Sequence, residues 1–123
     1  MEISMVAQEF TLTPSLREHV ERRVRFAFSH ALNRAGRIVV RLRDLNGPRG
    51  GRDMACHVSV SVPGHPEVVV QEVEENMYNA IDRAIKRAAY RASRLVVRRR
   101  LALRRKTEAA PVIDSDAENS PHG

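Results

Sequence analysis

Apolar residues recur along this chain in two rhythms, and the switches between them lay out the elements. Residues 3–8 place Ile3, Met5 and Ala7 at alternate positions, which predicts a short strand. Over 14–34 the interval changes to three and four: Leu16, Val20, Val24, Ala27 and Ala31 share one helical face, with Phe28 and Leu32 beside them. Thr13 can accept from free N–H groups of a first turn, and Pro14 suits the first helical position, so a helix is expected to start there. Gly36 is expected to end it as a left-handed stop.

Alternation then returns. Residues 37–45 point Ile38, Val40 and Leu42 inward and Arg41 and Arg43 outward. Residues 54–62 place Cys56, Val58, Val60 and Val62 on one face and His57, Ser59 and Ser61 on the other. Asn46-Gly-Pro-Arg-Gly-Gly51 between them is rich in turn formers and reads as a hairpin loop. Pro63-Gly-His-Pro66 turns the chain again, into a fourth strand over 67–73. Asn76 is a candidate N-cap for a last helix whose apolar stripe runs through Met77, Ala80, Ile81, Ala84, Ile85, Ala88, Ala92 and Leu95. No Gly or Pro interrupts it before Pro111, and it is expected to reach about residue 104. The order βαβββα, with two helices that must each bury a stripe, implies an α+β two-layer sandwich: a four-stranded sheet with both helices on one face.

Charge adds direction to this frame. Lys plus Arg total 21 against 15 Asp plus Glu, for a net +6. Residues 83–106 hold 11 of those bases and no acid, whereas 107–123 hold four acids and no base. The expected organisation is therefore a basic domain over 1–106 carrying +10 and a disordered acidic tail over 107–123. Such a balance points to a polyanionic partner. A single cysteine excludes an internal disulfide, no apolar run approaches a membrane span, and Met1 opens directly on a strand-like pattern rather than a signal peptide. A cytoplasmic protein with no membrane partner is expected.

The last helix carries the most informative pattern. Arg83, Arg87, Arg91, Arg94 and Arg98 step by 4, 4, 3 and 4, which aligns them in one stripe opposite the apolar one, with Lys86 beside it. The plain reading of a charge run is a solvated face, but solvated helices usually interleave signs. Four Arg–Arg neighbours cost about 0.2–0.5 kcal/mol each, roughly 1–2 kcal/mol together. A phosphate-rich partner would supply the missing negative charge. On the first helix, Arg22 and Arg25 each follow a glutamate (Glu18, Glu21) by four residues, so pairing within the helix and contact with nucleic acid weigh evenly there. Arg41, Arg43, Arg49 and Arg52 carry less weight. With no Trp, two Tyr and three Phe, the chain lacks the aromatic platform of single-strand readers, which favours recognition of structured RNA by backbone and shape. Tyr78 and Tyr90, near the apolar stripe, are expected to pack.

Catalysis finds little footing. Cys56 and His57 are adjacent on a strand, so they point to opposite faces and cannot pair as nucleophile and base. His19, His30 and His65 lie on separate elements without metal-ligand spacing. Glu72, Glu74 and Glu75 read as favourable charge at a helix N-terminus, and Gly47 to Gly51 does not open a helix as a phosphate loop would. No enzyme activity, cofactor, metal or small-molecule substrate is expected.

Two segments then resemble a known family. Thr11-Leu-Thr-Pro-Ser-Leu-Arg-Glu-His-Val20 and Glu75-Asn-Met-Tyr-Asn-Ala-Ile-Asp82, which opens the basic helix, are similar to segments of the ribosome hibernation factors. That family includes hibernation promoting factor and ribosome-associated inhibitor A, once called sigma-54 modulation proteins. The resemblance covers about residues 1–100 and fits the short form. It implies the same βαβββα fold, and binding to the small ribosomal subunit in the channel used by messenger and transfer RNA, which blocks translation in resting or stressed cells. Its ribosomal-RNA contacts carry over to Arg83, Lys86, Arg87, Arg91 and Arg94, and to Arg22 and Arg25; Arg98 joins them from the charge stripe. A monomer is expected on the ribosome. The last helix is richer in Ala and Arg than is usual in the family, and the 46–53 loop is longer than in its short members. Seventeen tail residues are too few for the extra C-terminal domain by which long members join two ribosomes.

Two other readings stand beside this one. A structured-RNA module outside the ribosome, such as a double-stranded RNA-binding domain, has a similar element order. Those domains open their last helix with lysines, where this chain has Glu74-Glu-Asn76. A protein-interaction regulator docking an acidic partner through the Arg stripe would act independently of RNA.

Overall fold

The computed structural model describes residues 2–9, 11–28, 36–45 and 53–109. Its elements run β1 (Glu2–Gln8), α1 (Pro14–Ala27), β2 (Arg37–Asp44), β3 (Met54–Ser61), β4 (Val68–Glu74) and α2 (Met77–Ala109). Met1–Ala92 and Ser93–Gly123 form two compact units, so the sheet, α1 and the first half of α2 belong to one and the rest of α2 to the other.

Within the first unit the strands lie in sequence order, β1-β2-β3-β4, with β1 and β2 parallel and the remaining pairs antiparallel. The register keeps Ile3, Met5 and Ala7 beside Ile38, Val40 and Leu42, and these beside Val60, Val58 and Cys56. Across β1 to β3 one face of the sheet is therefore a continuous apolar surface, joined on β4 by Val68 and Val70, and side chains on β2, β3 and β4 along it are buried. α1 covers it with Leu16, Val20, Val24 and Phe28, and α2 with Met77, Ala80, Ile81, Ala84, Ile85, Ala88, Ala89 and Ala92. Among the described residues the buried apolar core falls between Leu16 and Ala92. The α+β two-layer arrangement is as the hydrophobic rhythm predicts.

The local signals hold at several ends. Thr13 Oγ1 accepts from the Leu16 amide at 3.2 Å with Pro14 following, and Asn76 Oδ1 accepts from the Tyr78 amide at 2.7 Å. The 63–66 turn closes with the His65 amide donating to the Val62 carbonyl at 3.0 Å. Gly64 sits there at φ 83°, the place after Pro63 where a type II turn requires glycine.

Other expectations change. α1 is described to Ala27, with the Phe28 amide bonding the Val24 carbonyl as its cap, and the 29–34 part of the expected helix lies outside the described residues. Gly36 is not a left-handed stop. Its amide donates to the Ser61 carbonyl at 2.9 Å and its carbonyl accepts from the Glu2 amide at 3.0 Å, so it extends the sheet. α2 continues to Ala109, past the expected end near 104, and so takes in 107–109. The hairpin loop at 46–51 and residues 110–123 of the expected tail lie outside the described residues.

In the second unit, α2 keeps Leu95, Val96 and Leu101 half-buried while Val97 and Leu103 are exposed; none of its described residues is fully buried.

Candidate nucleic-acid interface

The basic residues of α2 are displayed by the same geometry that buries its alanines. Arg83, Lys86, Arg87 and Arg91 are all exposed in the first unit, and Arg94 and Arg98 are exposed in the second. On α1, Arg22 and Arg25 are exposed as well. Arg22 pairs with Glu18 at 3.8 Å one turn back, the weak surface pairing that its spacing offers. No such pair joins Arg25 to Glu21 among the described residues.

Arg83, Arg87 and Arg91 do not stand opposite the apolar stripe, as expected from the sequence, but on one flank of α2 over the edge strand β4: each directly precedes a buried alanine (Ala84, Ala88, Ala92), about 100° around the helix. Arg83 Nε lies 3.6 Å from Glu72 Oε1 and 3.2 Å from Glu74 Oε2. Arg87 Nη1 donates to Glu72 Oε2, and Arg91 Nη1 donates to the Val69 carbonyl at 3.0 Å. Glu72 and Glu74 are thus strand residues that face the arginines, not charges at the α2 N-terminus. Part of the repulsion along the stripe is relieved inside the chain, while Arg91 caps a carbonyl of a strand edge that would otherwise be open. Lys86 has no ion pair among the described residues.

These partners are unequal. The Glu72 side chain is only 13% exposed, whereas Arg83 and Arg87 are 63% and 53% exposed. Glu72 is consequently held below the ordinary carboxylate range, first by the Arg87 hydrogen bond and then by the charges of Arg87 and Arg83, against the opposing effect of its partial burial. A carboxylate with a lowered native pKa stabilises the fold above its unfolded value and loses that contribution as pH falls through the native one. Stability is expected to be flat in this respect from neutral pH down to about 4.3, the ordinary glutamate value, and to fall below it. Glu72→Gln should flatten that acid limb relative to the parent in thermal melts taken across pH. An identical acid limb in both proteins would mean that the pair adds nothing.

The opposite flank of α2 meets α1. Asp82 Oδ1 lies 2.7 Å from His19 Nε2 and 3.3 Å from Arg23 Nε, and Tyr78 sets its ring edge-on to His19 with centroids 4.9 Å apart. Sequence reasoning misses this joint, because spacing tests His19 only as a metal ligand. Its signal is present nonetheless: the 11–20 and 75–82 segments each contribute to it, His19 from one and Tyr78 and Asp82 from the other. Tyr90, expected to pack, is instead 62% exposed. Cys56 is buried, and desolvation pushes its thiol up to about 12, so no nucleophilic thiolate forms there. Among the described residues no group of three or more His, Cys, Asp or Glu could hold a metal ion, and no helix is long and apolar enough to cross a membrane.

With that geometry in hand, comparison with known proteins is decisive. The family model described as sigma 54 modulation protein / S30EA ribosomal protein matches residues 3–100, most of the chain. The chain belongs to that family. Among solved structures, a ribosomal subunit interface protein from Coxiella burnetii is similar with a TM-score of 0.65 and 19% identity, covering 76% of this chain and 96% of that one. The N-terminal domain of Protein Y from Thermus thermophilus is similar with a TM-score of 0.63 and 24% identity, covering 76% of this chain and 98% of that one. At those identities the likeness is one of fold. Comparison with curated protein sequences gave no match. Sigma 54 modulation / S30EA proteins are ribosome-associated hibernation and interface factors and not enzymes, in keeping with the resemblance carried by the 11–20 and 75–82 segments.

Proposed function

We propose that this family member binds ribosomal RNA of the small subunit through the exposed bases of its helices and occupies the messenger and transfer RNA channel, inhibiting translation by occlusion. Arg83, Lys86, Arg87, Arg91, Arg94 and Arg98 of α2 are the phosphate-binding residues, and Arg22 and Arg25 of α1 add further contacts. The observation that carries this reading is a single helix exposing four bases between Arg83 and Arg91, of which Arg83 and Arg87 are paired to Glu72 and Glu74 of β4 while Lys86 has no ion pair among the described residues. Arg83 and Arg87 are themselves more than half exposed, so a phosphate can reach them without displacing the carboxylates. The binding domain spans 1–106, the protein acts as a monomer in the cytoplasm, and the acidic 107–123 segment tempers the bases next to it.

Cosedimentation with purified small subunits across salt concentrations tests this. Neutralising about five phosphates gives a log–log slope of binding against salt near −4. Affinity that does not change between low and moderate salt would reject a charge-driven interface. The same assay measures the tail: a chain lacking 107–123, and with it four acids, should bind more tightly, by roughly two- to fivefold on the scale of a few screened surface charges. Unaltered affinity would remove the tail from the mechanism.

A further inference from the structure

The sheet has a second face, which no helix covers, and its chemistry is selective. Gln8, Arg41, Arg43, Leu45, His57 and Gln71 line a depression of about 290 Å³ there. The register assembles it: Arg41, His57 and Gln71 form one row across β2, β3 and β4, and Gln8 adjoins Arg43 in the next. Strand alternation holds all of them on the side away from the core.

Three observations separate this depression from an ordinary solvated surface. No carboxylate lines it, although it carries two arginines two residues apart, and neither Arg41 nor Arg43 has an ion pair among the described residues. Unlike the stripe on α2, this pair has no in-chain counter-charge there. His57 Nδ1 is buried without a hydrogen-bond partner. An orphaned buried N–H is rarer than an under-used acceptor, so the tautomer with its proton on Nε2 suits this setting and offers that nitrogen as a donor. The rest of the lining is neutral, with two side-chain amides and Leu45 as an exposed apolar wall.

We propose that this depression is a site for one nucleoside phosphate. Guanidinium forks on Arg41 and Arg43 suit phosphate oxygens in bidentate fashion. Nε2 of His57 and the amides of Gln8 and Gln71 supply the donors and acceptors that ribose hydroxyls and a base edge require, and Leu45 gives the base an apolar contact. The volume lies at the low end of small-molecule sites, about 300 Å³, which fits one nucleotide unit and not a longer stretch. The unit has the same chemistry whether it comes as a free nucleotide or as one residue of a single strand. The site stands apart from the helix surface and does not depend on how the ribosome is bound.

Titrating the isotopically labelled full chain with AMP, inorganic phosphate and a single-stranded adenosine hexamer, followed by amide NMR shifts, tests the assignment. AMP is expected to move resonances around residues 8, 41, 43, 57 and 71 and to bind at least tenfold more tightly than inorganic phosphate. Arg41→Gln combined with Arg43→Gln should weaken AMP at least tenfold, and Gln71→Glu, which sets a carboxylate in the depression without removing a base, should do the same. Tighter binding of AMP than of the hexamer identifies a free nucleotide as the source, and the reverse identifies a strand. Shifts confined to α2, equal affinity for AMP and phosphate, or AMP binding unaffected in folded variants would overturn the site.

Discussion

Replacing Lys86 and Arg91 together by glutamate is expected to lower affinity for the small ribosomal subunit about 100-fold, roughly 2.7 kcal/mol, while the protein stays folded. Both side chains are exposed. Lys86 has no ion pair among the described residues, and Arg91 gives the fold one exposed hydrogen bond to the Val69 carbonyl. Each reversal removes an attraction to phosphate and adds a repulsion, whereas the structural cost is one solvent-accessible hydrogen bond of about 1 kcal/mol or less. Arg87→Gln is the instructive contrast. It takes the hydrogen-bond partner from a mostly buried Glu72, so it should lower the melting temperature more than the double reversal does and affect binding less. Cosedimentation and thermal melts on the same preparations distinguish the two. Full binding by the double variant would place the interface elsewhere.

That contrast also shows how far the sequence could be read. The alternation in β2 and β3, the caps at Thr13 and Asn76 and the buried stripes of both helices depend on neighbours within a few residues, and those signals carried through to the structure. Gly36 misled because a glycine after a helical rhythm suits a stop as well as it suits a strand entry; its bonds to Ser61 and Glu2 are long-range and leave no local mark. The same limit hid the division of labour among the arginines. Spacing puts Arg83, Arg87 and Arg91 in a line, but only the packing of α2 beside β4 brings Glu72 and Glu74 to them.

The two family-like segments had a physical meaning that spacing could not reveal. Met77, Ala80 and Ile81 fill the core, while Tyr78 and Asp82 reach His19 and Arg23 across the gap between helices. Segments 11–20 and 75–82 are thus the two halves of one joint, which sets α2 against α1. The motif reports the framework that presents the basic residues, and the basic residues themselves lie mostly outside it.

Ending the chain at Ala92 should separate framework from affinity most sharply. The core residues from Leu16 to Ala92 all remain in such a chain, including every buried position described for α2, so it is expected to melt cooperatively and close to the parent temperature. It loses seven bases (Arg94, Arg98, Arg99, Arg100, Arg104, Arg105 and Lys106) and four acids (Glu108, Asp114, Asp116 and Glu118), which leaves 14 bases against 11 acids. Net charge therefore falls only from +6 to +3, but the change is local to the basic end of α2. If those residues bind phosphates, ribosome affinity should drop by about 100-fold at low salt. The salt slope should become shallower by about 0.9 for each phosphate no longer neutralised. A proportionate change in both quantities would mark the far half of α2 as part of the interface. An unchanged slope with weaker binding would mean instead that the segment acts through something other than charge, and Arg94 and Arg98 would leave the site.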